Sequence, residues 1–118
     1  MNIVRQALEK MYIGTCSITE RVSYEKENGA TGFKEEIVLS EEPCRLSFEN
    51  TKATEAEERA SLKEQSIRLF LKPEVTVKPG SKVTVTQNGI TTDYAHSGVP
   101  AVYETHQELM LMLWEKWS

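Results

Sequence analysis

At 118 residues, 39% hydrophobic and 27% charged, the chain has the length of one domain and should bury about 65% of its unfolded surface around one core. A net charge of −4 argues against a phosphate-tracking basic surface as its main business, so nucleic acid is a poor first partner. No apolar run approaches the roughly 18 residues that span a bilayer, and no basic n-region with an apolar h-region opens the chain; a cytoplasmic protein without a membrane partner is expected.

Residues 2–11 place Ile3, Val4, Ala7, Leu8 and Met11 at helical spacing behind Asn2, a good capping residue, and predict a short helix lying across the body. From residue 12 the period changes to two. Tyr12, Gly14, Cys16, Ile18, Val22 and Tyr24 share one phase, while Thr15, Ser17, Thr19 and Ser23 share the other, which predicts a long strand. The turn-prone stretch 27–32 and a second strand over 33–39 complete a hairpin. A separate strand is expected at 43–48, with Cys44, Leu46 and Phe48 inward, Arg45 and Ser47 outward, and Pro43 at its start.

Between residues 49 and 65 the chain is nearly devoid of apolar side chains. A connection of that length is usually functional or disordered. The Thr54-x-x-Glu57 match to a capping box suggests a nascent helix, but only Leu62 offers substantial apolar area, so a mobile projecting arm over 51–64 is expected.

Beyond the arm, Ile67, Leu69 and Leu71 alternate with Ser66 and Arg68, and a turn-rich crossing over 72–80 precedes Val83 and Val85. Asn88-Gly89 tolerates the positive φ values of a two-residue type I′ turn, which sets Val83 opposite Tyr94 and Val85 opposite Thr92. Gly98-Val99-Pro100 is read as a turn into closing strands over 101–105 and 108–114. In the last of these, Leu109, Leu111 and Leu113 fill one face and Met110, Met112 and Trp114 the other. A strand apolar on both faces buries both. Either the second face packs under the amino-terminal helix, or Met110, Met112, Trp114 and the nearby Trp117 form a subunit interface.

Chemistry is sparse. Cys16 and Cys44 match neither a zinc spacing nor a redox pair and sit in phase with apolar neighbours, as buried free thiols do. A metal site from Asp93, His96 and His106 would need side chains at three strand ends to converge, at spacings that fit no standard ligand pattern. No nucleophile with a histidine base, phosphate-cradling glycine loop or dinucleotide fingerprint is present, and the paired glutamates suit solvated strand edges. The expectation is a non-enzymatic protein with no metal and no cofactor.

The succession Ile67-Arg68-Leu69-Phe70-Leu71, then 75–83 with its Pro79-Gly80, a short hairpin, and Tyr103-Glu104-Thr105-His106-Gln107-Glu108-Leu109 resembles the small head-closure (head-tail connector) proteins of long-tailed phages. The resemblance implies a mainly β chain: a small antiparallel β-barrel of residues 1–118 with a short amino-terminal helix and a long mobile loop between its middle strands. It further implies a structural protein that forms a homo-oligomeric ring under the portal, closes the DNA exit channel and docks the tail. Its partners would be portal or adaptor proteins and tail proteins, with DNA only as passing cargo. Such a protein works in the bacterial host cytoplasm during assembly and then at the head-tail junction of the particle. In that role Lys52, Arg59 and Lys63 of the arm would meet partner carboxylates, and Glu55, Glu57, Glu58 and Glu64 would keep the lumen from gripping DNA. The alternative is an OB-like or SH3-like barrel binding single-stranded nucleic acid or a peptide, which needs exposed aromatics flanked by basic residues.

Overall fold

The computed structural model describes residues 3–50 and 65–117. The seven arm residues Lys52, Glu55, Glu57, Glu58, Arg59, Lys63 and Glu64 therefore lie outside the described residues. A short helix α1 (Ile3–Glu9) precedes six strands: β1 (Gly14–Glu25), β2 (Thr31–Asn50), β3 (Gln65–Leu71), β4 (Lys82–Gln87), β5 (Ile90–Val102) and β6 (Gln107–Leu113). They close into an antiparallel barrel in the order β1-β2-β3-β6-β5-β4, so the mainly β barrel with a short amino-terminal helix is the observed fold.

Period-two alternation builds the core. Cys16, Ile18, Cys44, Leu46, Leu69, Leu71, Val83, Val85, Tyr94, Leu109 and Leu111 point inward, two from each strand except β5, and Val77 joins them from the crossing between β3 and β4. Asn88 and Gly89 adopt φ of 53° and 76°, and the register pairs Val83 with Tyr94 and Val85 with Thr92, as the two-residue turn demands.

Polar side chains complete the barrel where strands run out. The amide of Gln87 receives a hydrogen bond from Leu46 N (2.8 Å) and donates one to Leu46 O (3.1 Å), standing in for a strand partner beyond the start of β1. Gly14 leaves room for it, since a Cβ there would lie 3.0 Å from Gln87 Oε1. Gln107, fully buried, donates to the carbonyls of Lys72 and Val75 and pins the crossing against β6.

Several expectations are corrected. The strands over 33–39 and 43–48 are one strand, β2. Its phase slip is absorbed by extra residues at 38 and at 40–41, opposite the shifts in β1 pairing, with Glu41 at φ 53°. The Gly98 region is likewise an irregularity inside β5, not a turn between strands; the reversal comes at 103–106, where Tyr103 N donates to His106 O. Phe48 and Leu113 keep the inward phase but lie exposed at the barrel's ends. Nor does α1 cover the outer face of β6. It has no buried residue and rests on the β2–β3 wall, where Leu8 and Met11 approach Arg45, Ser47 and Phe70, and Arg5 bonds Glu74 of the crossing and Glu9 of its own helix.

Candidate functional site

The largest departure from the expected pattern is the first hairpin. β4 pairs with β1 only over 15–19, and β3 pairs with β2 only over 45–50. Residues 20–25 and 31–36 therefore continue beyond the barrel as a two-stranded projection whose outer edges have no strand partner among the described residues, while 37–42 pair with the barrel part of β1. Val22, in phase with the core by sequence, is only half-buried, lining a pocket with residues 78–81 and Trp117, and Tyr24 is exposed; Phe33 is 60% and Ile37 66% exposed. Between residues 20 and 42 stand seven carboxylates against three cations, the kind of charge that discourages uncontrolled edge pairing.

The projection is braced at its root. The indole nitrogen of Trp117 donates to Glu35 Oε1 (3.0 Å), Trp114 meets Trp117 edge to face at 4.6 Å, and the Arg21 guanidinium lies over Phe33 (4.6 Å) and Trp117 (6.0 Å). Ion pairs join hairpin and body: Lys82 with Glu35 (3.8 Å), Lys78 with Glu20 (3.6 Å) and Lys72 with Glu42 (3.3 Å). Further out, the Tyr24 ring covers Gly32, its direct strand partner, where a Cβ would fall 2.8 Å from the ring, and Lys34 lies over the same ring at 5.9 Å. The hairpin is thus held at a set angle by aromatic and ionic contacts near the carboxyl terminus.

The four residues considered for a subunit interface divide into two sets. Met110 and Met112 project from the outer face of β6, 40% and 54% exposed, while Trp114 and Trp117 are half-buried in the brace just described. Nothing in the sequence marked Arg21, Phe33 and Glu35 as their companions, because that contact joins chain segments about eighty residues apart.

The titratable groups do not converge. Asp93 faces outward, accepting from Thr84 (2.7 Å). His106 lies between Thr105 and Glu108, stacked on Tyr103 at 4.9 Å, and Glu108 also pairs with Arg68. His96 is 2% exposed; burial pushes its imidazole below the ordinary range, opposed by a long bond to the Met110 carbonyl, and its Nε2 has no partner. Among the described residues no group of three or more metal-ligating side chains comes together. Cys16 and Cys44 are free, buried and on adjacent strands; a hydrogen bond to Cys44 and then burial raise the Cys16 thiol's pKa. Among the described residues no helix is long and apolar enough to cross a membrane.

A closed six-stranded antiparallel barrel with one projecting hairpin is the class of structure this geometry defines. Against solved structures, the chain is similar to the phage-like element PBSX protein xkdH from Bacillus subtilis, with a TM-score of 0.52 and 9% sequence identity, over 84% of this chain and 91% of that one. At that identity the likeness is one of fold. No family model and no curated protein matches the chain.

Proposed function

We propose that the chain is a structural protein of a phage or phage-like particle, a head-tail connector that forms a ring under the portal, closes the DNA exit channel and offers a docking surface to the tail. The fold shared with a phage-like element protein over most of both chains carries the reading. It is supported by a closed barrel whose exposed apolar groups include one set on the hairpin and another on the outer face of β6. Two different patches suit head-to-tail contacts, which close into rings when the rotation permits. In this reading Met110 and Met112 meet a neighbouring subunit, and Trp114 and Trp117 set the hairpin's angle.

The test is Met110→Asp in a strain producing the particle. The new carboxylate would stand opposite Arg68 on β3, so the barrel should keep its stability within about 0.5 kcal/mol. Electron microscopy should then show heads that fill and empty, or filled heads without tails. Normal tailed particles from the variant would remove Met110 from the contact. Normal tailed particles after deletion of the whole gene would end the reading.

A second reading draws on Arg21 over Phe33 and Lys34 over Tyr24, exposed aromatics beside cations such as single-stranded nucleic acid stacks upon. The hairpin's excess of carboxylates opposes it. A filter-binding titration decides, since steep salt-dependent retention of single strands would favour this module over the connector.

A further inference from the structure

Between α1 and the β2–β3 wall lies a pocket of about 210 Å³. Its walls are Leu8, Met11 and Phe70, its polar groups Tyr12, Arg45 and Ser47, and His106 stands at its margin. That volume is below the roughly 300–1,000 Å³ of sites for drug-sized molecules and fits a side chain.

Two polar groups here lack partners among the described residues. Among the described residues the half-buried Arg45 guanidinium makes no ion pair or hydrogen bond, whereas cations on the neighbouring elements are matched: Arg5 by Glu9 and Glu74, Arg68 by Glu108, Lys72 by Glu42. The Tyr12 hydroxyl is buried with no partner, and its pKa is raised, chiefly by burial. Leaving such groups unmatched is costly, and a planar guanidinium is best satisfied by a carboxylate accepting two parallel bonds.

We propose that this pocket receives an acidic side chain, flanked by an apolar residue, from an extended segment of a partner protein. The carboxylate takes Arg45 and the Tyr12 hydroxyl, and the apolar neighbour packs on Leu8, Met11 and Phe70. One unmatched cation within apolar walls suits a singly charged carboxylate; a phosphate backbone calls for several cations on an open surface. The proposal is independent of the connector reading, because it rests on the pocket's chemistry and holds for whatever assembly the chain joins.

The test is nuclear magnetic resonance of the isotope-labelled full chain, titrated with the blocked peptide acetyl-Leu-Glu-Leu-amide and its glutamine and lysine counterparts at millimolar concentration. The glutamate peptide should shift amides near residues 8–12, 45–47 and 70, with affinity roughly tenfold above the glutamine peptide, the value of one charge-assisted contact. Arg45→Gln should abolish that preference, and Arg45→Lys should retain part of it. If Arg45→Gln fails to fold, the comparison of the three peptides on the unaltered chain still decides. Equal response to all three, shifts confined to another surface, or no shift overturns the proposal. So do concentration-dependent shifts of the same amides without peptide, since the occupant would then be a second copy of this chain.

Discussion

Gln87 shows how one side chain extends a sheet. With β1 beginning at Gly14, the Leu46 main chain would face an empty strand position, and the Gln87 amide satisfies both its N–H and its C=O. Replacing Gln87 by Leu keeps the size and removes both bonds, so stability should fall by about 1–3 kcal/mol, read as a lower urea midpoint with unchanged slope. An unchanged midpoint would mean that water replaces the amide there. The thiols give a second expectation at this scale. Reactive cysteine requires thiolate and access, and Cys16, raised in pKa by its Cys44 neighbour and by burial, has neither. Iodoacetamide should leave both cysteines of the folded chain unmodified and alkylate both in denaturant, as intact mass would report; an adduct on the folded protein contradicts the burial.

For the elements, the sequence was most legible where a turn sets the register and least where a strand leaves its sheet. Asn88-Gly89 has two adjacent residues that accept positive φ, so the β4–β5 pairing followed from local chemistry. Val22 and Tyr24 resume the alternation of Cys16 and Ile18 beyond Glu20, yet β4 stops pairing at Thr19 and neither is buried. Burial depends on that distant neighbour, and a single in-phase carboxylate, Glu20, is all the local sequence offers to report its absence. Glu41 conceals the bulge in β2 in the same way, since positive φ at a glutamate has no compositional mark. The brace predicts how the hairpin behaves. Trp117→Ala removes a hydrogen bond to Glu35 and a cation–π contact with Arg21, together worth about 1–2 kcal/mol. Amide exchange over residues 20–25 and 31–38 should then quicken roughly tenfold or more, with the barrel core unchanged. Uniform acceleration across the chain would show that Trp117 supports the whole barrel instead.

For the whole molecule, closure of the barrel places an imidazole, that of His96, where water does not reach. The strands were legible from their alternation and the barrel was implied by the resemblance, and His96 has its strand's inward phase, between Tyr94 and the Gly98 irregularity; its burial required β6 and the start of β4 to close around it. On one side His96 N donates to Ser81 O and Gly80 N donates to His96 O, and on the other Leu111 is its strand partner. No carboxylate or other cation contributes to its shift; burial lowers the pKa and the Met110 carbonyl partly opposes this. The unfolded chain therefore takes up a proton near the ordinary value of 6.5 that the folded barrel refuses. Stability from this source is complete above that pH and is lost as pH falls below it, until the folded imidazole is itself protonated. Carboxylates titrate lower, so urea midpoints at about pH 7.5 and about pH 5.5 isolate the histidines. His96→Leu, which also removes the unpartnered Nε2, should flatten the decline between the two pH values. A decline that persists undiminished in His96→Leu would place the refused proton on another group and make the barrel's interior more tolerant of charge than its closure implies.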